Sequence, residues 1–250
     1  VTSAHSAIVV DRKTKEVLFQ KNSQTPRSIG SITKLMTAFV FLGTNPDLNE
    51  LVTIQSKDFR SGGVQHVSLN DPISTKELLY ASLISSDNSA TAALVRLSGM
   101  SHGDFIAKMN ESAATMGMQN TTFVDATGLS SKNQSVVSDV VLLLDHVSRN
   151  NIIRDATERA TFIVTGESGR SYELSSTNKL LSSFVDQKPY KLVAAKTGFL
   201  PVAGYCFGSI FSHEGAGEIV IVVLGSSSDA SRFQDVKSLA VWAYDVYKWN

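Results

Sequence analysis

The sequence predicts an α/β protein of the α+β kind, with one antiparallel sheet built from both chain ends and a helical lobe inserted between them. Apolar runs with strand character occur near the start of the chain and again beyond about residue 161. Apolar side chains at helical spacing dominate the stretch between them. We therefore expect a single unit over residues 1–250, with a sheet lobe at about 1–45 and 161–250 and a helical lobe at about 46–160.

The strands are predicted from short apolar runs bounded by turn residues. The first two, at residues 6–10 and 16–20, flank the polar turn 11–14 and are typical of a hairpin. Later runs of the same kind lie at residues 161–165, 191–195, 205–211 and 218–224. Because no repeat or linker interrupts the chain, we expect the early and late strands to share one sheet.

The helices are predicted from apolar side chains that recur every three or four residues. One helix opens at Ser31 and ends before Gly43 and Pro46, with its apolar face at Leu35, Met36, Phe39, Val40 and Leu42. Further candidates lie at residues 75–84, 90–97, 105–116, 138–147 and 230–247.

Composition excludes several classes of function. The 23 basic and 23 acidic residues cancel, so no overall field attracts the protein to nucleic acid or to an anionic membrane. The longest apolar runs are far shorter than the roughly 18 residues that a membrane helix needs. The single cysteine, Cys206, excludes an internal disulfide, and we expect it to be a buried packing residue. The five histidines show no metal-ligand spacing, so we expect ordinary surface or packing roles for them.

The first motif that can carry chemistry is Ser31 followed three residues later by Lys34, at the start of the apolar helix. Residues three apart share a helix face, so a neutral lysine there is able to accept the serine proton. Chance alone gives about two such pairs in this composition, and the chain holds a second one at Ser176 and Lys179. The ordinary alternative is a helix-capping serine beside a solvated lysine.

Two further motifs are rarer by chance, at about 0.09 expected occurrences for Ser86-Asp87-Asn88 and about 0.06 for Lys196-Thr197-Gly198. The first lies in a polar loop between two helical segments, and its ordinary alternative is a self-capped turn. The second follows the predicted strand 191–195, and its ordinary alternative is a strand end with a glycine turn. Together with the Ser31 motif they match the signature of penicillin-binding proteins and class A β-lactamases.

The chain resembles the low-molecular-mass penicillin-binding proteins, which are serine D-alanyl-D-alanine carboxypeptidases and endopeptidases, over nearly its whole length. The resemblance rests on the three motifs and on further blocks at residues 28–37, 105–110, 117–123, 127–129, 177–181, 196–199, 203–204, 224–225 and 232–233. It implies a single D,D-peptidase catalytic domain with an antiparallel sheet, flanking helices and a helical lobe, and it implies neither a metal nor an organic cofactor.

The resemblance also implies a set of catalytic residues. Ser31 is then the acylated nucleophile and Lys34 its general base, while Ser86 passes a proton to the leaving amine with the help of Lys196. Because two lysines lie near one serine, we expect each lysine to lower the pKa of the other.

The implied substrate-binding set comprises Asn88, Thr197, Gly198, Phe199 and Arg232. Asn88 is expected to hold the peptide amide, and Thr197 and Arg232 to face a carboxylate. The backbone N–H groups of Ser31 and Phe199 are expected to form the oxyanion hole. Leu200 and Pro201 follow where the family commonly has a polar residue, which weakens the expected hydrogen bonding to the carboxyl end of the substrate.

The implied function is peptidoglycan D,D-peptidase activity on stem peptides, by carboxypeptidase or endopeptidase action, with β-lactams as covalent inhibitors and a periplasmic or extracytoplasmic location. A class A β-lactamase is the first alternative, and it needs an acid for deacylation, of which Asp125 is the nearest candidate. The second alternative is a sensor domain that β-lactams acylate without turnover.

Overall fold

A computed structural model describes residues 2–249 of the chain. Its main feature is a five-stranded antiparallel sheet in the order β2-β1-β11-β10-β9. The strands in chain order are β1 (Ser6–Asp11), β2 (Val17–Lys21), β3 (Arg27–Ser28), β4 (Leu51–Val52), β5 (Ile73–Ser74), β6 (Gln134–Ser135), β7 (Thr161–Thr165), β8 (Ser171–Ser175), β9 (Tyr190–Leu200), β10 (Gly204–His213) and β11 (Glu218–Ser226). Strands from the two chain ends therefore share one sheet, as predicted, with β9 at one edge.

Seven α-helices accompany the sheet in the part of the chain that the structure describes. They are α1 (Thr33–Leu42), α2 (Thr75–Leu83), α3 (Asn88–Leu97), α4 (His102–Thr115), α5 (Val137–Val147), α6 (Asn151–Thr157) and α7 (Asp229–Val246). The structure thus confirms an α+β fold with helices between the early and late strands.

The central strands are apolar on both faces because each face packs against helices. On β1, Ala7 and Val9 belong to one apolar cluster together with side chains of α7, whereas Ile8 and Val10 belong to a second cluster with α1 and α5. The period-two alternation of a strand produces this division. The second cluster continues into the helical part of the chain, so α1 is buried between the sheet and the other helices.

The strand prediction at residues 161–165 is correct, but the expected place of this strand in the main sheet is wrong. It forms β7, which pairs only with β8 in a separate hairpin of the described chain. The hairpin packs beside α2, where the rings of Tyr80 and Phe162 meet edge to face at 5.0 Å. Strand β8 and helix α6 were not predicted from the apolar pattern.

The predicted end of the strand at residue 195 is also wrong. Strand β9 continues to Leu200 because β10 pairs with it over its whole length, from His213 opposite Tyr190 to Gly204 opposite Leu200. Lys196, Thr197 and Gly198 therefore lie inside an edge strand and not in a turn after it. A regular strand fixes their alternating directions.

No helix within residues 2–249 is both long and apolar enough to span a membrane. The same residues hold no group of three or more His, Cys, Asp or Glu side chains placed to bind a metal ion.

Candidate active site

Ser31 lies in a 3-10 turn, Gly30–Ile32, immediately before α1, and not in the α-helix itself. Three chain segments meet tightly around this turn. A Cβ atom on Gly30, which has a φ of +53°, would lie 2.8 Å from the backbone nitrogen of Phe199. A Cβ atom on Gly198 would lie 2.2 Å from the Ile29 carbonyl oxygen and 3.3 Å from the Ser31 nitrogen. Glycine is thus required because the two backbones approach closely, with the Phe199 nitrogen beside Gly30 and the Ser31 nitrogen beside Gly198.

Lys34 is fully buried directly behind Ser31. Its Nζ atom donates to Ser31 Oγ at 3.0 Å, to Asn88 Oδ1 at 2.6 Å and to the Thr127 carbonyl oxygen at 2.6 Å. Burial lowers the pKa of Lys34 to about 7, although the charges of Asp125 and Asp87 act in the opposite direction. The site therefore offers Ser31 a lysine that can be neutral near neutral pH.

Asn88 is the first residue of α3 and connects Lys34 to a loop above the cleft. While its Oδ1 accepts from Lys34, its Nδ2 donates to the Gly62 carbonyl oxygen at 2.6 Å. Asp87 caps α3 by accepting from the Ser89 and Ala90 nitrogens, and it also accepts from the His66 nitrogen. The Asn88 side chain is thus already held at both ends, and one lone pair and one N–H remain for a substrate amide.

Ser86 and Lys196 form a second serine–lysine pair. Lys196 is fully buried on β9, and its Nζ donates to Ser86 Oγ at 2.9 Å and to the Thr197 carbonyl oxygen at 3.3 Å. Burial lowers the pKa of Lys196 well below its usual value, and the charges of Lys34 and Arg232 lower it further. Ser86 has a φ of +61°, a strained conformation for a residue with a side chain.

The expected mutual effect of the two lysines therefore holds for Lys196, whose pKa the charge of Lys34 lowers. For Lys34 burial alone is responsible for the lower pKa.

Thr197 and Arg232 lie together at one end of the cleft. Thr197 Oγ1 is 2.6 Å from Thr177 Oγ1. The Arg232 guanidinium is nearly buried, donates from Nη1 to the Gly198 carbonyl oxygen at 3.1 Å and pairs through Nη2 with Asp229. Phe199 is half-exposed there, with its ring centroid 4.5 Å from that of Tyr205.

These groups face one cleft of about 370 Å³. It is lined by all the predicted site residues except the two buried lysines, namely Ser31, Ser86, Asn88, Thr197, Gly198, Phe199 and Arg232. The structure thus brings together every predicted site residue, with Lys34 and Lys196 behind their serines. Within residues 2–249 no carboxylate lines this cleft.

Asp125 does not face the cleft. Its carboxylate accepts from the backbone nitrogens of Thr127, Gly128 and Ser130 and from the Thr127 hydroxyl, and these bonds keep its pKa below the usual value despite burial. Asp125 therefore shapes the loop whose Thr127 carbonyl holds Lys34. A carboxylate with these bonds has little basicity left for a deacylating water.

Three features of the site were not predicted from the sequence. The Thr127 carbonyl, the Thr177 hydroxyl and the 62–66 loop with His66 were not assigned any role. The short polar sequence from Asp125 to Ser130 is an available signal, because an aspartate before such residues commonly accepts their N–H groups in a turn. Thr177 lies in one of the blocks that carry the family resemblance, but no local pattern indicates a role for its hydroxyl or for His66.

Cys206 is fully buried, as predicted, and lies opposite Gly198 on β10. Burial raises the pKa of its thiol to about 11, so it remains protonated and unreactive at neutral pH.

This arrangement supplies the parts of acyl transfer. Ser31 has a lysine amine within hydrogen-bond distance, the backbone at Gly198 and Phe199 packs closely against the turn that carries Ser31, and the Ser86 hydroxyl faces the same cleft. Such a site defines a serine hydrolase that works through an acyl-enzyme.

Comparison with known proteins agrees with this class. The D-alanyl-D-alanine carboxypeptidase family pattern matches residues 1–228. A D-alanyl-D-alanine endopeptidase of Haemophilus influenzae is 36% identical over 239 residues, which are 94% of this chain and 80% of that protein. A Streptomyces K15 DD-transpeptidase variant has a TM-score of 0.89 and 27% identity over 98% of this chain and 99% of its own. A penicillin-binding protein of Listeria monocytogenes, solved in a cefotaxime-bound form, has a TM-score of 0.83 and 30% identity over 98% of each chain.

The chain belongs to the D-alanyl-D-alanine carboxypeptidase family. It is a serine-type D,D-peptidase with the penicillin-binding protein fold. These comparisons confirm the predicted fold, the predicted enzyme class and the predicted peptidoglycan D,D-peptidase function.

Proposed function

We propose that this D,D-peptidase is an endopeptidase that cleaves cross-links between the stem peptides of peptidoglycan and acts outside the cytoplasmic membrane. The observation that carries the acyl-transfer chemistry is the buried Lys34, whose Nζ lies 3.0 Å from Ser31 Oγ. A lysine with a pKa of about 7 is neutral in half of the molecules at that pH and accepts the proton of the attacking serine.

In the acylation step, Ser31 Oγ attacks the carbonyl carbon of the scissile D,D-peptide bond while its proton moves to Lys34. The backbone N–H groups of Ser31 and Phe199 stabilise the resulting oxyanion. When the intermediate collapses, the C–N bond breaks and the leaving amine takes a proton from Ser86, which Lys196 orients. The proton that Lys34 accepted from Ser31 then replaces the one that Ser86 donated. The step leaves an ester on Ser31 and a free amine.

Thr197 and Arg232 are proposed to bind a carboxylate on the leaving side of the scissile bond. Both line the cleft beside Gly198, and the guanidinium fork suits a carboxylate. Asn88 and Gly198 are proposed to hold the peptide backbone of the acyl part. Water then hydrolyses the ester and frees Ser31 for the next turnover.

Endopeptidase action is preferred to carboxypeptidase action because of the relatives. The endopeptidases of Haemophilus influenzae and Escherichia coli are 36% and 31% identical to this chain, compared with 26% and 28% for the carboxypeptidases of Bacillus subtilis and Streptomyces. β-Lactams are proposed to acylate the same serine, which is supported by the cefotaxime-bound Listeria structure of the same fold. A peptidoglycan substrate requires a periplasmic or other extracytoplasmic location.

The test is intact-protein mass spectrometry after incubation with a penicillin, on the wild-type protein and on Ser31→Ala, followed by a peptide assay. We expect a persistent adduct on the wild-type protein alone, and release of monomers from a cross-linked dimeric stem peptide. An adduct on Ser31→Ala, or no adduct on either protein, would contradict the site.

The peptide assay separates the remaining functions. Release of terminal D-alanine from a pentapeptide without cleavage of the dimer would indicate a carboxypeptidase. Rapid drug hydrolysis without a lasting adduct would indicate a β-lactamase, and an adduct without any peptide turnover would indicate a sensor.

A further inference from the structure

Asp229 is the first residue of α7 and pairs with Arg232, which follows it by three residues. Residues three apart share a face of a helix, so the two side chains lie next to each other. One carboxylate oxygen of Asp229 accepts from Arg232 Nη2, and the other accepts from Lys179 Nζ at 2.5 Å. The three side chains therefore form a row of alternating charge with a net charge of +1, and only Arg232 among them lines the catalytic cleft.

The burial of Arg232 gives its pairing with Asp229 a physical purpose. The exposed fraction of the side chain falls from 69% for Lys179 to 35% for Asp229 and 8% for Arg232. Removing a guanidinium from water has a desolvation cost, which a carboxylate partner offsets. Although burial raises the pKa of Asp229, Lys179 and Arg232 keep it below its usual value, so the carboxylate is ionised at neutral pH.

The contacts of Arg232 leave part of its hydrogen-bonding capacity unused. A guanidinium has five N–H groups. Nη1 donates to the Gly198 carbonyl oxygen at 3.1 Å and Nη2 donates to Asp229, while Nε is buried without a partner among residues 2–249. One N–H of each terminal nitrogen therefore remains for a ligand, and a carboxylate makes strong charge-assisted hydrogen bonds with such groups.

Two aromatic rings and two hydrogen bonds set the orientation of the Arg232 guanidinium. Its Cζ atom lies over the ring of Tyr205 at 5.5 Å from the centroid and over the ring of Phe233 at 4.8 Å. Ring contacts of this kind attract the cation without fixing its rotation within its own plane. The hydrogen bonds to Gly198 and Asp229 fix that rotation, and Asp229 provides the charged partner of the two.

We propose that Asp229 is a positioning residue for substrate recognition, which holds Arg232 so that its unused N–H groups bind the carboxylate on the leaving side of the scissile bond. The proposal rests on the role of Arg232 proposed above. Lys179 acts one step further back, because its positive charge limits how far Asp229 neutralises Arg232. Asp229 and Lys179 together therefore set how strongly the enzyme prefers a ligand that carries this carboxylate.

The test compares acylation by benzylpenicillin with acylation by its methyl ester, which has the same β-lactam ring without the negative charge. The carboxylate of benzylpenicillin lies next to the ring nitrogen, which is the leaving amine, so it probes the same side of the scissile bond. The ratio of the two second-order rate constants, acid over ester, measures recognition of the carboxylate. Intact-protein mass spectrometry follows both reactions, and thermal unfolding checks that each variant folds.

Asp229→Ala should lower the acid-over-ester ratio roughly tenfold, because Arg232 loses a charge-assisted hydrogen bond that fixes its orientation. Asp229→Asn should lower the ratio less, roughly threefold, because the amide oxygen can still accept from Arg232 Nη2. Lys179→Met should lower it about twofold, as expected for one exposed ion pair. The matched control is Lys188→Met, which removes the lysine of another exposed ion pair, with Glu214 at 2.8 Å, and should leave the ratio unchanged.

Three results would overturn the positioning role. A ratio that rises with Asp229→Ala would show that Asp229 competes with the ligand for Arg232. An unchanged ratio with Asp229→Ala, including equal falls of both rate constants, would show that Asp229 only supports the local structure. An equal fall in Lys188→Met would show that the ratio responds to any lost surface charge.

Arg232→Gln separates this proposal from the role on which it rests, and it should lower the ratio roughly 30-fold. If Arg232→Gln lowers the ratio and Asp229→Ala does not, Arg232 binds the carboxylate and the positioning role fails. If Arg232→Gln leaves the ratio unchanged, the carboxylate-binding role of Arg232 fails as well. Neither result depends on cleavage of cross-links, which the dimeric peptide decides separately.

Discussion

The two serine–lysine pairs of the cleft have the same components but different electrostatic surroundings. Lys34 and Lys196 are both fully buried, and each donates to a serine hydroxyl at about the same distance, 3.0 Å and 2.9 Å. Lys34 has two further strong acceptors, the Asn88 amide oxygen and the Thr127 carbonyl, and two carboxylates whose charges raise its pKa. Lys196 has one weaker backbone acceptor and two neighbouring cations, which lower its pKa.

We propose that this difference gives the two lysines separate tasks. A base has to be neutral to accept a proton and basic enough to hold it, and a pKa near 7 meets both needs at neutral pH. Lys34 meets them because its carboxylate neighbours partly offset the cost of burial. Burial and the charges of Lys34 and Arg232 all lower the pKa of Lys196, so we propose that Lys196 orients the Ser86 hydroxyl and that Lys34 is the base. Burial alone therefore does not make a lysine a catalytic base.

The largest expected effect comes from removing each lysine in turn. Lys34→Gln should lower the second-order rate constant of penicillin acylation by about 10³-fold, within the range of a lost general base. Lys196→Gln should cost less, about 10²-fold, because an amide can still hydrogen-bond to Ser86. A stopped-flow acylation assay measures both, with thermal unfolding to check that each variant folds. A larger loss for Lys196→Gln would reverse the assignment of the two lysines.

An intermediate effect is expected in the pH dependence. Protonated Lys34 cannot accept a proton, so the acylation rate should rise tenfold per pH unit in acid and level off above a midpoint near pH 7. Asn88→Asp keeps an acceptor for Lys34 Nζ but adds a negative charge, which raises the pKa of Lys34 and should move the midpoint upward by about one unit.

Penicillin acylation measured between pH 5 and 9 provides the profile. The control Asn49→Asp adds the same charge at an exposed position and should leave the midpoint unchanged. A midpoint that stays in place with Asn88→Asp would show that another group controls the acid limb.

The smallest expected effect is that of replacing Thr177, whose side chain contacts neither lysine. Thr177→Val removes the hydroxyl that lies 2.6 Å from Thr197 Oγ1, and the loss of about 1 kcal/mol of hydrogen bonding should raise the peptide KM roughly threefold to tenfold. The pH midpoint should not move, since the charges around Lys34 stay the same. Steady-state kinetics of peptide cleavage over the same pH range tests both statements, and an unchanged KM would mean that Thr197 needs no support from Thr177.

Much of this protein could be predicted from local pattern. The alternation of Ala7, Ile8, Val9 and Val10 gives a strand that is buried on both faces, and the helical spacing after Ser31 gives α1. The rarity of the motifs at Ser86 and Lys196 made them candidates for the site before any contact was known. Each of these signals lies within a few consecutive residues.

The predictions that failed concern pairing between distant segments. The sequence of residues 161–165 does not indicate whether this strand pairs with β8 or with the main sheet. Pairing depends on the partner that tertiary packing brings near. In the same way, the extension of β9 through Gly198 to Leu200 comes from pairing with β10.

The sequence by itself determined most of the secondary structure, the order of the predicted elements and the candidate reactive side chains, because these depend on periodicity and on residue type. Only the tertiary structure decided what those side chains are able to do. The Thr127 carbonyl reaches Lys34 across 93 residues, and Lys196 reaches Ser86 across 110. Burial and neighbouring charges set the proton affinity of each lysine, and both arise from segments that are close in space and far apart in the chain.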